Sequence, residues 1–379
     1  MHDFTKAVSF SFPTNIRFGG GVIKELPKHL KEQGFSRPLL VTDPNVAQLD
    51  FFKEIINDIS SSGLSTETFH DIHKNPVKSD VLKGGEKFEE TDRDCIIGIG
   101  GGAGMDVARA IVLRINHRRD LFDYDDLIGG DKYVTEEVPY FITVPTTSGT
   151  GSEVGRSAII SEDETKRKRI LFAPKLLARQ VFADPELTFG LPDFITAATG
   201  MDALTHNMEA FLAKGYHPMC DGLALEAMRM ISASLETAVN ESKNLKARSE
   251  MMLASLMGAI AFQKGLGIVH ATAHPLSTLL DMHHGLANAM MIPYGMEYNH
   301  SGLESKFEQM AKALETADVA RFLFDMKSKL KLPDGLKDLG VGEQHLDQLT
   351  ELALNDFCLP ANPKPAGAED IMNIYKKAM

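Results

Sequence analysis

An apolar run, Asp94-Cys-Ile-Ile-Gly-Ile-Gly100, passes directly into Gly101-Gly102-Ala-Gly104 and then into an apolar-periodic stretch from Met105 to Leu113. A short run with no polar alternation is a strand covered on both faces, and such strands belong to parallel sheets. A parallel sheet needs crossover connections, usually helices, so this segment constrains the surrounding chain to alternate strand and helix. The neighbours comply. Pro38-Leu-Leu-Val-Thr-Asp43 reads as a buried strand ending in an acid, followed by a helical stretch over 46–62. Thr66 to Ile72 reads as a further strand, 77–90 as helix-permissive, and Val138-Pro-Tyr-Phe-Ile-Thr-Val144 as another buried strand. Val8-Ser-Phe-Ser-Phe12 alternates strictly, as a half-buried strand does. This pattern is that of an α/β domain built from βαβ units.

The texture changes near Asp184-Pro185 and Leu191-Pro192. Beyond it the chain is rich in Ala, Leu, Met and Glu with helical periodicity and no convincing strand. The expected division is therefore 1–188, an α/β domain, and 189–379, an all-α domain. Asn362-Pro363-Lys-Pro365 breaks the pattern before a final helix at about 368–378. The methionines of the second half read as adaptable core.

Within that helical half, Asp202 and His206 are four residues apart, as are His270 and His274, with His283-His284-Gly285 close behind. On a helix this spacing stacks side chains on one face. One carboxylate and several imidazoles suit a divalent transition metal better than calcium or magnesium. Asp202, His206, His270 and His284 are the candidate ligands; such a site with an open position polarises a substrate oxygen. Either pair alone reads more readily as a surface or core feature than as a metal site, and it is their clustering that favours a metal.

In the first half, glycines between a strand and a helix let backbone N–H groups approach phosphate at a helix N-terminus. Gly100, Gly101, Gly102 and Gly104 have that context, though not in the usual GxGxxG register. Asp106, in the first helical turn, is either a cofactor contact or an acid favoured by the helix dipole. Asp43 reads as an acceptor for ribose hydroxyls, which favours NAD over NADP, or as a turn-former before Pro44. Pro145-Thr-Thr-Ser-Gly-Thr-Gly-Ser-Glu153 either holds phosphate or nicotinamide or is a hydroxyl-rich loop. Gly19-Gly20-Gly21 reads as a turn after the first strand.

A formal net charge of −12 disfavours a nucleic-acid partner. Three cysteines, Cys95, Cys220 and Cys358, fit no zinc or disulfide spacing, consistent with a reducing compartment. No apolar run reaches the ~18 residues of a membrane span, and the first residues lack the order of a secretory signal. A cytoplasmic location without a membrane partner is expected.

Together these stretches resemble the iron-containing (group III) alcohol dehydrogenase family. The matching segments are Gly100-Gly101-Gly102…Asp106, Pro145-Thr146-Thr147-Ser148-Gly149-Thr150, Ala198-Thr199-Gly200-Met201-Asp202-Ala203-Leu204-Thr205-His206, Gly265-Leu266-Gly267…His270…His274-Pro275, His284-Gly285 and Asn362-Pro363, in the family's order and across most of the chain. The resemblance implies a Rossmann-like N-terminal nucleotide-binding domain and an all-helical C-terminal domain. It implies that Asp202, His206, His270 and His284 hold iron, and that His274 lies beside the metal without ligating it and helps move a proton. Gly101, Gly102, Thr146, Thr147 and Lys168 fall on cofactor-binding positions, and Asp43 on the adenosine-ribose position. It further implies a homodimer paired through an early strand, which Val8–Phe12 would supply. The implied reaction is the reversible, NAD-linked oxidation of a primary or short-chain alcohol to an aldehyde. Four nitrogen and oxygen ligands do not separate Fe2+ from Zn2+. A hydroxy acid or diol is the serious rival substrate; a lyase akin to dehydroquinate synthase and a non-catalytic metal or nucleotide sensor are the readings from other classes. Two departures stand out: Ala103 replaces the serine many relatives carry after the glycines, and Ala261-Phe-Gln-Lys264-Gly-Leu-Gly267 differs from their neutral, often longer segment. Lys264 is read as solvated rather than as an anchor for an acidic substrate.

Overall fold

The computed structural model describes residue 12 and residues 14–379. Of the strand expected at Val8–Phe12, all but Phe12 lies outside the described residues. The chain forms two compact units. One extends through Thr147 and resumes at Gly151–Thr188; the other comprises Phe189–Met379 together with Ser148–Thr150.

The first unit is built on a six-stranded sheet of β1 (Asn15–Phe18), β2 (Pro38–Val41), β3 (Glu67–Phe69), β4 (Cys95–Gly100), β5 (Tyr140–Pro145) and β8 (Gln180–Ala183). The spatial order is β1-β8-β5-β4-β2-β3 and every pairing is parallel. The helices are α1 (Leu26–Glu32), α2 (Asp50–Ser61), α3 (Lys78–Glu90) and α4 (Gly102–Asn116). Along β4, Ile96 packs into one buried cluster with Val107, Ile111 and Phe141, while Cys95, Ile97 and Ile99 pack into another with Phe52, Ile55 and Phe182. The period-2 alternation of a strand thus feeds two cores, which is why the run carries no polar residue. A separate antiparallel pair, β6 (Ser157–Ser161) and β7 (Lys168–Phe172), completes this unit. Gly19 to Gly21 form the turn after β1, as expected, although β1 lies further along the chain than Val8–Phe12.

In the second unit every regular element is helical: α5 (Asp193–Leu212), α6 (Pro218–Asn240), α7 (Leu245–Ala261), α8 (Ile268–Leu280), α9 (His284–His300), α10 (Glu304–Ala313), α11 (Val319–Lys329), α12 (Leu346–Leu354) and α13 (Ala368–Ala378), with short 3-10 turns. One continuous apolar core joins them; Met201, Met208, Met228, Met291, Met296 and Met310 are fully buried in it. Among the described residues no single helix is long and apolar enough to cross a membrane.

Candidate metal centre and cofactor cradle

Helix α5 presents Asp202, His206 and Glu209 on one face, because steps of four and three residues turn the chain once each. Helix α8 presents His270 and His274 in the same way, and α9 begins at His284 with Asn288 one turn on. Gly285 allows this meeting: a Cβ there would lie 2.5 Å from the Ala198 carbonyl oxygen, so any side chain would push α9 away from α5. Asp202, His206, His270 and His284 each bring one ligand atom to within 4.8 Å of the others. His206 and His270 stack with ring centroids 4.8 Å apart, and His284 Nε2 lies 3.5 Å from Asp202 Oδ1.

The outer nitrogens are anchored. His206 Nδ1 faces the Gly149 carbonyl at 3.2 Å, and His270 Nδ1 faces Glu209 Oε2 at 2.6 Å. A ring that donates from Nδ1 keeps its Nε2 lone pair for the shared centre. Glu209 also accepts from the backbone N–H groups of Val269 (2.7 Å) and His270 (3.2 Å), closing the first turn of α8 from 60 residues away. Burial lifts the Glu209 carboxyl to about 7, against the pull of those N–H donors and of Gly267 and His206. Burial also opposes ionisation of Asp202, but His206, His284, His270 and the Asn288 hydrogen bond together bring its carboxyl down to about 2.

Asn288 is the common donor. Its Nδ2 lies 2.6 Å from Asp202 Oδ1 and 3.2 Å from both His270 Nε2 and His284 Nε2, while its Oδ1 is buried without a partner. Three lone pairs therefore converge on one weakly positive amide. A donor set of one carboxylate and three imidazoles, rich in acceptors, fits a transition-metal cation.

His274 is brought beside this set but occupied differently. Its Nδ1 lies 2.7 Å from Asp356 Oδ2, and its ring stacks between His284 (5.3 Å) and Phe357 (5.2 Å). Asp356 Oδ1 accepts the Cys358 N–H at 2.8 Å. Burial works against the Asp356 charge, yet His274 and the Cys358 N–H hold its carboxyl below the ordinary range.

The α/β unit places the glycines as expected. Gly100 has φ +141°, a conformation closed to most residues, and turns the chain from β4 toward α4. A Cβ on Gly101 would stand 3.4 Å from Thr147 Oγ1, and the Thr146 N–H donates to the Gly100 carbonyl at 3.0 Å. Asp43 Oδ1 accepts from the Asn45 and Val46 N–H groups, so it does form a turn, and its Oδ2 points toward Gly100. Thr42 Oγ1, at the end of β2, is fully buried with no partner and also faces Gly100. An orphaned hydroxyl beside an open glycine turn at a helix N-terminus fits a phosphate-bearing ligand. Lys168 opens β7, where its charge acts on the Asp106 carboxyl.

Asp106 itself is engaged within the protein. Its Oδ1 takes Ser152 Oγ (2.8 Å) and Arg109 (3.2 Å), and its Oδ2 takes the Ile159 N–H (3.1 Å). Arg109, fully buried, adds bonds to Ser152 and to the Ser157 and Leu176 carbonyls, so the pair ties α4 to β6. This is the structural alternative left open for Asp106 rather than a contact at the glycine turn. Lys264 departs from expectation too. Its side chain is 2% exposed and pairs with Asp221 Oδ1 at 2.5 Å and with the Phe211 carbonyl at 3.0 Å. The Phe211 carbonyl, near the end of α5, and the Asp221 carboxylate, in the first turn of α6, draw the ammonium inward and leave it neither solvated nor available to a substrate.

A dinucleotide-type α/β sheet and a helical unit carrying an imidazole-carboxylate cluster define a class: metal-dependent, nicotinamide-linked oxidoreductases acting on CH–OH groups. The chain belongs to the iron-containing alcohol dehydrogenase family. The model of the iron-containing alcohol dehydrogenase domain matches residues 13–185, and that of the family's C-terminal domain matches 196–379. The chain is 36% identical to the 4-hydroxybutyrate dehydrogenase of Cupriavidus necator over 378 residues, covering 97% of this chain and 98% of that one. A crystal structure of 1,3-propanediol oxidoreductase superposes with a TM-score of 0.94 at 31% identity, covering 99% and 100%. A sulfoacetaldehyde reductase from Bifidobacterium kashiwanohense, solved with NAD+, superposes with 0.89 at 26% identity, covering 98% and 99%.

Proposed function

We propose that Asp202, His206, His270 and His284 hold a divalent cation, iron(II) with zinc(II) as the alternative, and that the enzyme interconverts a small primary alcohol and its aldehyde using NAD. The observation that carries this reading is the convergence of four ligand atoms within 4.8 Å, two of them on rings anchored by Glu209 and Gly149. When bound, the metal supplies Lewis acidity that lowers the pKa of a substrate hydroxyl, and the nicotinamide takes the hydride. Glu209 and the Gly149 carbonyl keep the ligand nitrogens bare. His274 holds Nδ1 on Asp356 and accepts the substrate's hydroxyl proton at Nε2, with Asp356 stabilising the imidazolium. Gly101, Gly102, Thr146 and Thr147 cradle the pyrophosphate; Thr42, Asp43 and Lys168 add polar contacts to the cofactor. The resemblance to the 4-hydroxybutyrate dehydrogenase favours a second reading of the substrate, a short hydroxy acid or a diol. The same reading makes the protein a cytoplasmic homodimer with no nucleic-acid partner.

The test is elemental analysis of protein purified without oxygen, followed by alcohols, diols and 4-hydroxybutyrate offered with NAD+ and with NADP+. NADH formation by iron-loaded protein is expected; its absence with every substrate sinks the proposal. His270→Ala should lose both metal and activity, whereas His274→Ala should retain metal and turn over about 10²–10⁴-fold more slowly. Full metal content and rate in His270→Ala would refute the ligand assignment.

A further inference from the structure

Among the described residues, two groups of metal-ligating side chains have atoms close enough to share an ion. The first is the imidazole-carboxylate set above. The second is His274, Asp356 and Cys358, whose ligand atoms also lie within 4.8 Å of one another. The geometry points to a second cation site, formed by these three residues, that takes a thiophilic divalent ion such as zinc(II) or cadmium(II).

The local fold builds it. Asp356 Oδ1 accepts the Cys358 N–H, so the tripeptide Asp356-Phe357-Cys358 curls and turns its carboxyl and thiol toward the same point. Phe357, between them, lies on the His274 ring and fixes that ring's plane. His274 Nδ1 already faces Asp356 Oδ2 at 2.7 Å. The side chains are 16% exposed for His274 and 8% for Asp356, and Cys358 is 4% exposed, so an ion would be largely enclosed yet reachable.

The two sites differ in softness. The first offers only nitrogen and oxygen; the second adds sulfur. Thiolate ligands select zinc and similar ions over harder cations. On binding, the Cys358 thiol releases its proton to solvent, a sulfur–metal bond forms, and no electron is transferred. His274 Nδ1 leaves Asp356 for the ion, and any proton it carried moves to Nε2. That nitrogen then no longer accepts the substrate's proton, so occupancy stops turnover. This inhibitory consequence rests on the reading of His274 as proton acceptor; the binding itself does not.

The experiment uses the full-length, iron-loaded protein titrated with Cd2+, which shows a near-ultraviolet charge-transfer absorbance only when bound by thiolate. One equivalent of this absorbance per chain is expected. It should vanish in Cys358→Ser and in Cys358→Ala, and persist in Cys95→Ser and Cys220→Ser, whose thiols are buried elsewhere. No absorbance in the native protein, or undiminished absorbance in folded Cys358→Ser, overturns the proposal. In parallel, Zn2+ should inhibit native turnover, and Cys358→Ser, with its basal rate kept, should need at least about tenfold more. Equal inhibition of both overturns the regulatory half. If no substrate gives NADH, the cadmium absorbance still decides the site, so failure of the catalytic reading is told apart from failure of this one.

Discussion

Glu209→Gln is the sharpest probe of how the candidate metal centre is organised. The native carboxylate accepts from three groups at once: Val269 N–H through Oε1, and His270 N–H and His270 Nδ1 through Oε2. A glutamine has the same shape but only one acceptor oxygen. If that oxygen faces His270, the amide NH2 confronts the Val269 N–H, and a buried donor is stranded at a cost of about 1–3 kcal/mol. If instead it faces Val269, the NH2 donates to Nδ1, and the ring proton must move to Nε2. That tautomer points hydrogen at the shared centre and removes a ligand lone pair. Either orientation weakens the site, and partners of this kind are worth about 10–100-fold in metal affinity, or roughly 1.4–2.8 kcal/mol. The assay is competition for Fe2+ or Zn2+ against a chelator of known affinity, with thermal unfolding of the metal-free protein alongside. Affinity within about twofold of native, together with an unchanged melting temperature, would refute the claim that Glu209 sets the His270 tautomer.

Two other substitutions test different regions. Glu153 is wholly buried, and burial pushes its carboxyl from 4.5 up to about 7, with its own backbone N–H and then Arg109 pulling the other way. Its protonated form is the one the folded state tolerates, so its contribution is intact below about pH 4.5 and is lost as pH rises through about 7, in all about 3 kcal/mol. Glu153→Gln should flatten that part of the stability–pH curve, and an unchanged slope in denaturant titrations between pH 5 and 8 counts against it. Thr42→Val removes a hydroxyl that has no partner in the protein. Melting of the free protein should stay level or rise, while the NAD dissociation constant increases about fivefold, worth about 1 kcal/mol; calorimetry showing equal affinity would place the cofactor elsewhere.

The parts of this molecule legible from its sequence are those encoded by local periodicity. Strands β2, β4 and β5 announce themselves as apolar runs because both faces are covered. Asp202 with His206, and His270 with His274, are visible because one helical turn is four residues. The hairpin of β6 and β7 went unread because its second strand begins in a basic run, Lys166 to Arg169, that looks like solvated loop. Glu209, Asn288 and Asp356 were missed for another reason. Each acts across 60 or more residues of chain, on Val269 and His270, on Asp202, and on His274 respectively. Only Glu209 carried a hint, an acid on the same turn-by-turn face as Asp202 and His206. Lys264 was misjudged because a lone lysine beside a glycine turn gives no sign of the carbonyl and carboxylate that enclose it.

The Asn288 amide ties three helices to one point. Because its Nδ2 touches Asp202 on α5, His270 on α8 and His284 on α9, a substitution at position 288 would be felt on all three at once, and the cluster would shift as a unit instead of one side chain at a time.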